Sequence, residues 1–205
     1  MDPVEVVRQG YNKVARDYLR ERLTDGADIR MLDELESRLA GGATVLDLGC
    51  GAGQPIAARL AKSFEVTGLD ISESQLQLAR EAVPSARFIL ANMVTQDLGE
   101  ALYDGVCSYY AIIHVPREHH RDILAKISRA LKPGGVALLC LGANDIEEDY
   151  DDCFGTTMFW SHFDSQTYLA ILPELGFEIE INALVRDESW PEAKHLFVLV
   201  RKPRA

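Results

Sequence analysis

Long apolar runs, closely spaced cysteines and an excess of basic side chains are all missing from this sequence of 205 residues. No apolar run approaches the roughly 20 residues that span a bilayer, and Met1-Asp2-Pro3 begins nothing like a signal peptide, so we expect a cytoplasmic protein without membrane contact. The four cysteines, Cys50, Cys107, Cys140 and Cys153, include no Cys-x-x-Cys pair. Their wide spacing predicts reduced, buried thiols.

The charge balance is acidic, because 21 Lys and Arg face 32 Asp and Glu, for a net charge of −11. Nucleic-acid binding depends largely on neutralising phosphates, so this balance argues against DNA or RNA as a substrate and favours a small molecule or a peptide. The hydrophobic fraction of 47% and the charged fraction of 26% are those of a globular protein. At this length we expect a single domain.

One stretch, residues 43–53, organises the chain: Ala-Thr-Val-Leu-Asp-Leu-Gly-Cys-Gly-Ala-Gly. Its apolar residues predict a buried strand, and Gly49, Gly51 and Gly53 predict a tight turn that a ligand can approach closely. A dinucleotide-binding fingerprint would place its third glycine one residue later. Asp47 would also repel a pyrophosphate, whereas it would favour a cationic ligand.

This pattern resembles the first motif of the class I S-adenosylmethionine-dependent methyltransferases, acidic-x-Gly-x-Gly-x-Gly. The resemblance implies that S-adenosylmethionine is the cofactor, that the turn with Cys50 contacts its methionine part, and that Asp47 lies near its ammonium group. The alternative is a plain strand-to-helix turn with a capping aspartate.

Two helices are predicted before this strand, over residues 3–22 and 28–39. The resemblance implies that they cover the cofactor and help to form the acceptor pocket. Tyr11 and Tyr18 lie seven residues apart, hence on one helix face, where they either close over the ligand or pack the helix onto the sheet.

The second predicted strand, residues 65–70, ends in Asp70, which is placed to accept hydrogen bonds from ribose hydroxyls. Nicotinamide-binding folds share this feature. Ile71 follows it, and Ser72 with Gln75 predicts a capping box that opens the next helix. The third predicted strand, residues 87–91, precedes Asn92-Met93, where the resemblance implies contact with adenine. The family usually has Asp at the position of Asn92, but an amide carbonyl accepts the same hydrogen bond.

The fourth predicted strand, residues 104–109, leads into Tyr110 and His114, and a helix over residues 116–131 and a turn at 132–135 precede the fifth strand, residues 136–141. Since ligands bind at the carboxyl ends of such strands, we expect Tyr109, Tyr110 and His114 at the reaction site. His114 is a candidate general base, and the alternative is that it orders the loop or lines the adenosyl pocket. His119 and His120 are expected to face solvent.

Residues 143–163 are predicted to be an irregular loop on the acceptor side. Phe159, Trp160 and His162 are candidates for acceptor contact, or form an apolar latch that holds the loop. The six preceding carboxylates have three interpretations: a solvated face, a site for an amine-bearing acceptor, or a divalent-metal site. The first is favoured, and no metal ligands are assigned.

A helix capped by Asp164 should run to Leu175 and end at Gly176. Two strands, residues 177–185 and 196–200, follow with a connection too short for a parallel crossover, so the last strand must be antiparallel. His195 opens it and is a further acceptor-site candidate.

We therefore expect an α/β fold with a doubly wound, mostly parallel seven-stranded sheet, helices on both faces and a C-terminal antiparallel hairpin. Its parts are a helical cover (1–40), a cofactor-binding core (41–142), an acceptor-side loop (143–163) and a terminal helix and hairpin (164–205). The predicted function is methyl transfer from S-adenosylmethionine to a small-molecule nucleophile, with Tyr110 and His114 bracketing it. Alternatives are a protein or peptide methyltransferase, a non-catalytic S-adenosylmethionine-binding protein and a nicotinamide-dependent oxidoreductase.

Overall fold

A seven-stranded sheet forms the centre of the computed structural model, which describes residues 2–22, 24–186 and 193–204. Its strands are β1 (Thr44–Leu48), β2 (Glu65–Asp70), β3 (Arg87–Leu90), β4 (Tyr103–Ser108), β5 (Leu131–Gly142), β8 (Glu178–Arg186) and β9 (Lys194–Arg201). Their spatial order is β3-β2-β1-β4-β5-β9-β8. The first five are parallel, and β9 runs antiparallel to both β5 and β8. The predicted sheet and its terminal hairpin are confirmed. Part of the connection between β8 and β9 lies outside the described residues.

The described ranges contain six α-helices: α1 (Pro3–Glu21), α2 (Ala27–Glu36), α3 (Ile56–Leu60), α4 (Glu73–Ala82), α5 (His120–Ala130) and α6 (Ser165–Glu174). Asp2 and Asp164 cap α1 and α6 by accepting hydrogen bonds from Val4 N and Thr167 N. One apolar core packs α5 and α6 on one face of the sheet, and a second packs α2 and α3 on the other. None of the described helices is long and apolar enough to cross a membrane.

A β-hairpin replaces the irregular loop that was predicted for residues 143–163. Its strands β6 (Ile146–Cys153) and β7 (Thr156–His162) pair antiparallel as a separate two-stranded sheet. The acidic strand β6 is exposed, whereas Met158 and Phe159 of β7 pack under α1. This prediction was wrong because β6 is an exposed, mostly acidic strand without apolar alternation, so its pairing with β7 is invisible in the sequence.

Three smaller expectations also need correction. His120 is buried, not solvent-exposed, because its Nε2–H donates to the Val115 carbonyl while its Nδ1 accepts from the Tyr168 hydroxyl. Only half of the capping box forms, since Ser72 Oγ accepts from Gln75 N but the Gln75 side chain makes no return bond. Strand β5 begins at Leu131 and includes the predicted turn at 132–135. The four cysteines are buried and free, as predicted.

Candidate active site

An inner cavity opens at the carboxyl ends of β1, β2 and β4 and lies beneath α1. Its lining residues enclose about 680 Å³ that protein atoms leave empty, part of which is open to solvent. The predicted cofactor residues that line it are Tyr11, Tyr18, Gly49, Gly51, Asp70, Ile71, Gln75, Asn92, Met93 and Tyr109. Tyr110 and His114 line it as well. The structure therefore gathers most of the predicted cofactor residues at one cavity.

The glycine turn forms the floor of this cavity. Gly49 has a φ of +79°, and a Cβ there would lie 2.1 Å from the Cβ of Ala111. Gly51 has a φ of +53°, and the only atom near a Cβ there is Gln75 Oε1 at 3.8 Å. Gly49 is thus required by packing within the protein, whereas Gly51 leaves open space in which a ligand can contact the backbone.

Asp70 braces the turn. Its carboxylate accepts hydrogen bonds from the backbone N–H groups of Gly51 and Ser72, both at 2.8 Å. Removal from solvent raises the pKa of this carboxyl, and the two backbone bonds oppose that rise. The backbone N–H of Ile71 also acts on this carboxylate, and since a carboxylate has about four acceptor positions, it still has capacity for a ribose hydroxyl.

Asp47 lies one layer deeper, on β1, and does not line the cavity. Its Oδ1 accepts from Cys107 Sγ at 3.5 Å, and its Oδ2 has no partner among the described residues. Burial raises the pKa of Asp47 to about 7. Cys50 and Gly53 do not line the cavity either. Cys50 lies beside Gly68, and Gly53 packs against α4. Direct cofactor contact by these three residues stays a prediction.

The side chains opposite the turn leave polar atoms for a ligand. Both amide atoms of Gln75 are buried, line the cavity and lack a partner in the described structure. Such orphaned groups fit a polar ligand, because an unpaired buried amide is costly. Asn92 Oδ1 accepts from Val94 N at 2.8 Å, and its second lone pair remains for an adenine amino group.

Tyr11 and His114 form a hydrogen-bonded pair between α1 and the loop after β4. The Tyr11 hydroxyl lies 3.0 Å from His114 Nε2, and His114 Nδ1 lies 2.7 Å from the Phe159 carbonyl oxygen. A carbonyl only accepts, so Nδ1 carries the proton, and in the neutral ring Nε2 accepts from Tyr11. Burial lowers the pKa of His114 to about 4. The imidazole is therefore neutral at pH 7, with a fixed tautomer.

A second polar cluster, which the sequence analysis missed, holds the end of α1 beside Tyr110. Arg22 donates to Asp28 Oδ2 at 2.7 Å and lies 4.9 Å above the Tyr110 ring. The hydroxyls of Tyr109 and Tyr110 donate to the Asp28 carbonyl and carboxylate, respectively. Because Asp28 and the tyrosines are more than 80 residues apart, no local sequence signal marks this cluster.

An outer chamber adjoins the inner cavity on the hairpin side. Three of the acceptor-site candidates, Trp160, His162 and His195, line it. Phe159 fits its other interpretation, an apolar latch, because its side chain is fully buried under α1 and lines neither cavity, while its carbonyl orients His114. Tyr11, Tyr18, Tyr110 and His114 line both cavities and form the boundary between them.

Comparison with known proteins agrees with this geometry. Residues 45–135 match the methyltransferase domain family. Methyltransferase GfsG of Streptomyces halstedii is 36% identical over 119 residues, which cover 52% of this chain and 41% of that protein. Demethylmenaquinone methyltransferase of Symbiobacterium thermophilum is 28% identical over 177 residues, which cover 78% of this chain and 67% of that protein. The chain thus spans less than half of some curated relatives that it matches.

A solved structure shows the same fold. It is the 1,6-didemethyltoxoflavin-N1-methyltransferase of Burkholderia thailandensis with its ligand and S-adenosylhomocysteine, at a TM-score of 0.74 and 23% identity, covering 97% of this chain and 88% of that one. Residues 45–135, a little under half of the chain, thus match the methyltransferase domain family, and the fold as a whole is that of a solved methyltransferase. S-adenosylmethionine fits the site as a cofactor, because the turn at Gly51 is open and the buried Gln75 amide has no partner among the described residues.

Proposed function

We propose that this protein transfers a methyl group from S-adenosylmethionine to a small-molecule nucleophile in the outer chamber. The main support for this proposal is that the two cavities share a boundary. Four side chains, Tyr11, Tyr18, Tyr110 and His114, line both. A donor in the inner cavity and an acceptor in the outer chamber would therefore meet beside His114.

Most of the rate enhancement in this proposal comes from placement. The bound cofactor supplies a methyl carbon that its sulfonium already activates. Alignment of two reactants can contribute about 7–11 kcal/mol, whereas a general base adds a factor of about 10²–10⁴. Tyr110 is held by Asp28 and Arg22, so it gives the chamber a fixed wall at the boundary.

The proposed proton path runs from the acceptor through Tyr11 to His114. As the acceptor atom displaces the cofactor's sulfur from the methyl carbon, the acceptor's proton would pass to the Tyr11 oxygen, and the Tyr11 proton would pass to His114 Nε2. The Nδ1–H bond to the Phe159 carbonyl favours the imidazolium that forms. Because the pKa of His114 lies well below neutral pH, the imidazolium then releases its proton to solvent.

Calorimetric titration with S-adenosylhomocysteine tests the cofactor part of the proposal. Asp70→Ala should weaken binding about 100-fold, because it removes a charged acceptor and the brace on Gly51. Glu81→Gln, on the exposed side of α4, is a matched control and should bind like the wild type. NADH is titrated in parallel, and binding of NADH without S-adenosylhomocysteine would overturn the proposal.

Release of S-adenosylhomocysteine with saturating acceptor tests the role of His114. Candidate acceptors are screened first with the wild-type protein. His114→Ala should lower turnover about 10²–10³-fold, because it removes the proton acceptor. Cofactor affinity should change less than threefold. Unchanged turnover would show that His114 only orders the loop.

A further inference from the structure

The floor of the outer chamber is formed by imidazoles that carry no charge at neutral pH. His114, His162 and His195 all line it and are each at least nine-tenths buried. Burial lowers the pKa of His114 and His195 to about 4 and lowers that of His162 as well. No set of three potential metal ligands occurs among the described residues.

Backbone carbonyls fix the hydrogen-bonding direction of two of these rings. His162 Nδ1 lies 2.7 Å from the Asn144 carbonyl oxygen, as His114 Nδ1 does from that of Phe159. Nδ1 is therefore the donor in both rings, and Nε2 is a hydrogen-bond acceptor. Within the described part of the chain, His162 makes its hydrogen bonds through Nδ1, which leaves its Nε2 as an acceptor atom in the wall of the chamber.

The tight fit of His162 shows that this orientation is built in. A Cβ on Gly142 would lie 2.0 Å from His162 Nδ1, so only glycine permits the ring to lie against β5. The ring therefore cannot turn to offer an N–H to the chamber without losing its bond to Asn144. A ligand that meets Nε2 has to bring a hydrogen-bond donor.

Carboxylates outnumber the unpaired cations of the chamber. Arg22 is paired with Asp28, and Arg20 is paired with Asp17. Lys194 is the remaining cation among the described lining residues, and the exposed β6 carboxylates of Asp149, Asp151 and Asp152 outnumber it. An anionic acceptor would lose its hydration here and meet more negative than positive side chains, which is unfavourable.

Aromatic rings give the chamber flat walls. Trp160 lies 5.3 Å from the His114 ring, and Tyr110 meets His195 edge-on at 5.0 Å. Such surfaces favour planar ligands. We propose that the acceptor is an uncharged, planar aromatic compound with an O–H or N–H group, which donates to His162 Nε2 or reaches the Tyr11–His114 pair. This inference specifies the acceptor class and rests on the proposed function.

Three compounds of one shape test this charge preference: 2-naphthol, 2-naphthoate and 2-naphthylmethylammonium, titrated into the S-adenosylhomocysteine complex at pH 7. We expect 2-naphthol to bind at least about tenfold more tightly than 2-naphthoate. Equal or tighter binding of 2-naphthoate would overturn the inference. So would tightest binding of the ammonium compound, which would assign selection to the β6 carboxylates.

A pair of variants identifies the group that receives the donor. His162→Phe keeps a ring but removes Nε2, so it should weaken 2-naphthol binding about tenfold and leave 2-naphthoate nearly unchanged. His119→Phe, on the partly exposed turn before α5, is the control and should bind like the wild type. Thermal melting checks that both variants fold. Failure of S-adenosylhomocysteine itself to bind would instead refute the proposed function, so the two failures are distinguishable.

Discussion

The two cavities differ in how the chain builds them. The inner cavity is made mainly by segments that directly follow strands of the main sheet, so its shape is fixed by parallel pairing at β1, β2 and β4. The outer chamber is made by the end of α1, the hairpin β6–β7 and the start of β9. These elements meet through side chains rather than through one ladder. The proposed cofactor site is therefore part of the fold, whereas the proposed acceptor site is built from elements attached to it.

Two glycines with nearly equal φ, one in each region, allow this distinction to be tested directly. Gly49 (φ +79°) lies in the cofactor turn, and Gly155 (φ +76°) lies in the hairpin turn, where a Cβ would meet nothing within 4 Å. Gly49→Ala should lower the free energy of unfolding by about 2–5 kcal/mol, since left-handed strain adds to overpacking against Ala111. Gly155→Ala should cost about 1–2 kcal/mol, from strain alone.

Urea denaturation of the two variants measures the difference. S-adenosylhomocysteine binding should also be lost in Gly49→Ala and retained in Gly155→Ala. Equal costs would mean that the cofactor turn yields as easily as the hairpin, and the distinction between an integral and an attached site would then be wrong.

Asp47 provides a second test, which uses the pH dependence of the free energy of unfolding. Its pKa is raised to about 7 in the folded protein, above its unfolded value. The folded state therefore binds the extra proton, so the stability linked to Asp47 is full below about pH 4 and is lost as the pH rises to about 7. Asp47→Asn should consequently be more stable than the wild type at pH 8, by about 2–4 kcal/mol.

The difference between Asp47→Asn and the wild type should shrink toward zero at pH 4 when unfolding is followed across that range. Asp97→Asn is a control of opposite sign, because the backbone N–H of Gly99 and the charge of Arg129 lower the pKa of Asp97. The stability lost in Asp97→Asn should be observed at pH values above the pKa of Asp97 and should vanish at acid pH. A difference for Asp47→Asn that does not vary with pH would contradict a protonated Asp47.

The difference between the two cavities explains which site residues could be predicted from the sequence. Three strand ends near the inner cavity carry a local signal: the glycine turn after β1, Asp70 at the end of β2 and Asn92 after β3. These signals can be interpreted locally because parallel pairing brings strand ends to one edge. Asp28 and Arg22 have no such signal, because their role depends on Tyr110, more than 80 residues away.

The hairpin was missed for a related reason. Its turn is Phe154-Gly155, with φ of +54° and +76°, the conformation for which Asn-Gly is the usual sequence signal. A phenylalanine in that position gives no turn signal, and the acidic strand β6 shows no apolar alternation. Packing of Val6 and Val7 of α1 beside Phe159 stabilises the hairpin instead, which only the tertiary structure reveals.

Tyr11 lines both cavities. Replacing it tests their boundary with a small change in the side chain. Tyr11→Phe removes one oxygen and keeps the ring that packs edge-on against His114 at 5.5 Å. If the proton passes through the Tyr11 hydroxyl, turnover with saturating acceptor should fall about 10–100-fold, less than in His114→Ala, because Nε2 remains as a less well placed acceptor. Cofactor affinity should change less than threefold.

Tyr150→Phe is the matched control for loss of a tyrosine hydroxyl, since Tyr150 is exposed on β6 and lines neither cavity. The pH profile of turnover separates a proton relay from simple packing. Loss of the Tyr11 hydrogen bond changes the environment of Nε2, so the acidic limb of the profile should shift in Tyr11→Phe and stay in place in Tyr150→Phe. A fall in turnover without a shift would assign Tyr11 to packing of α1 over the cofactor.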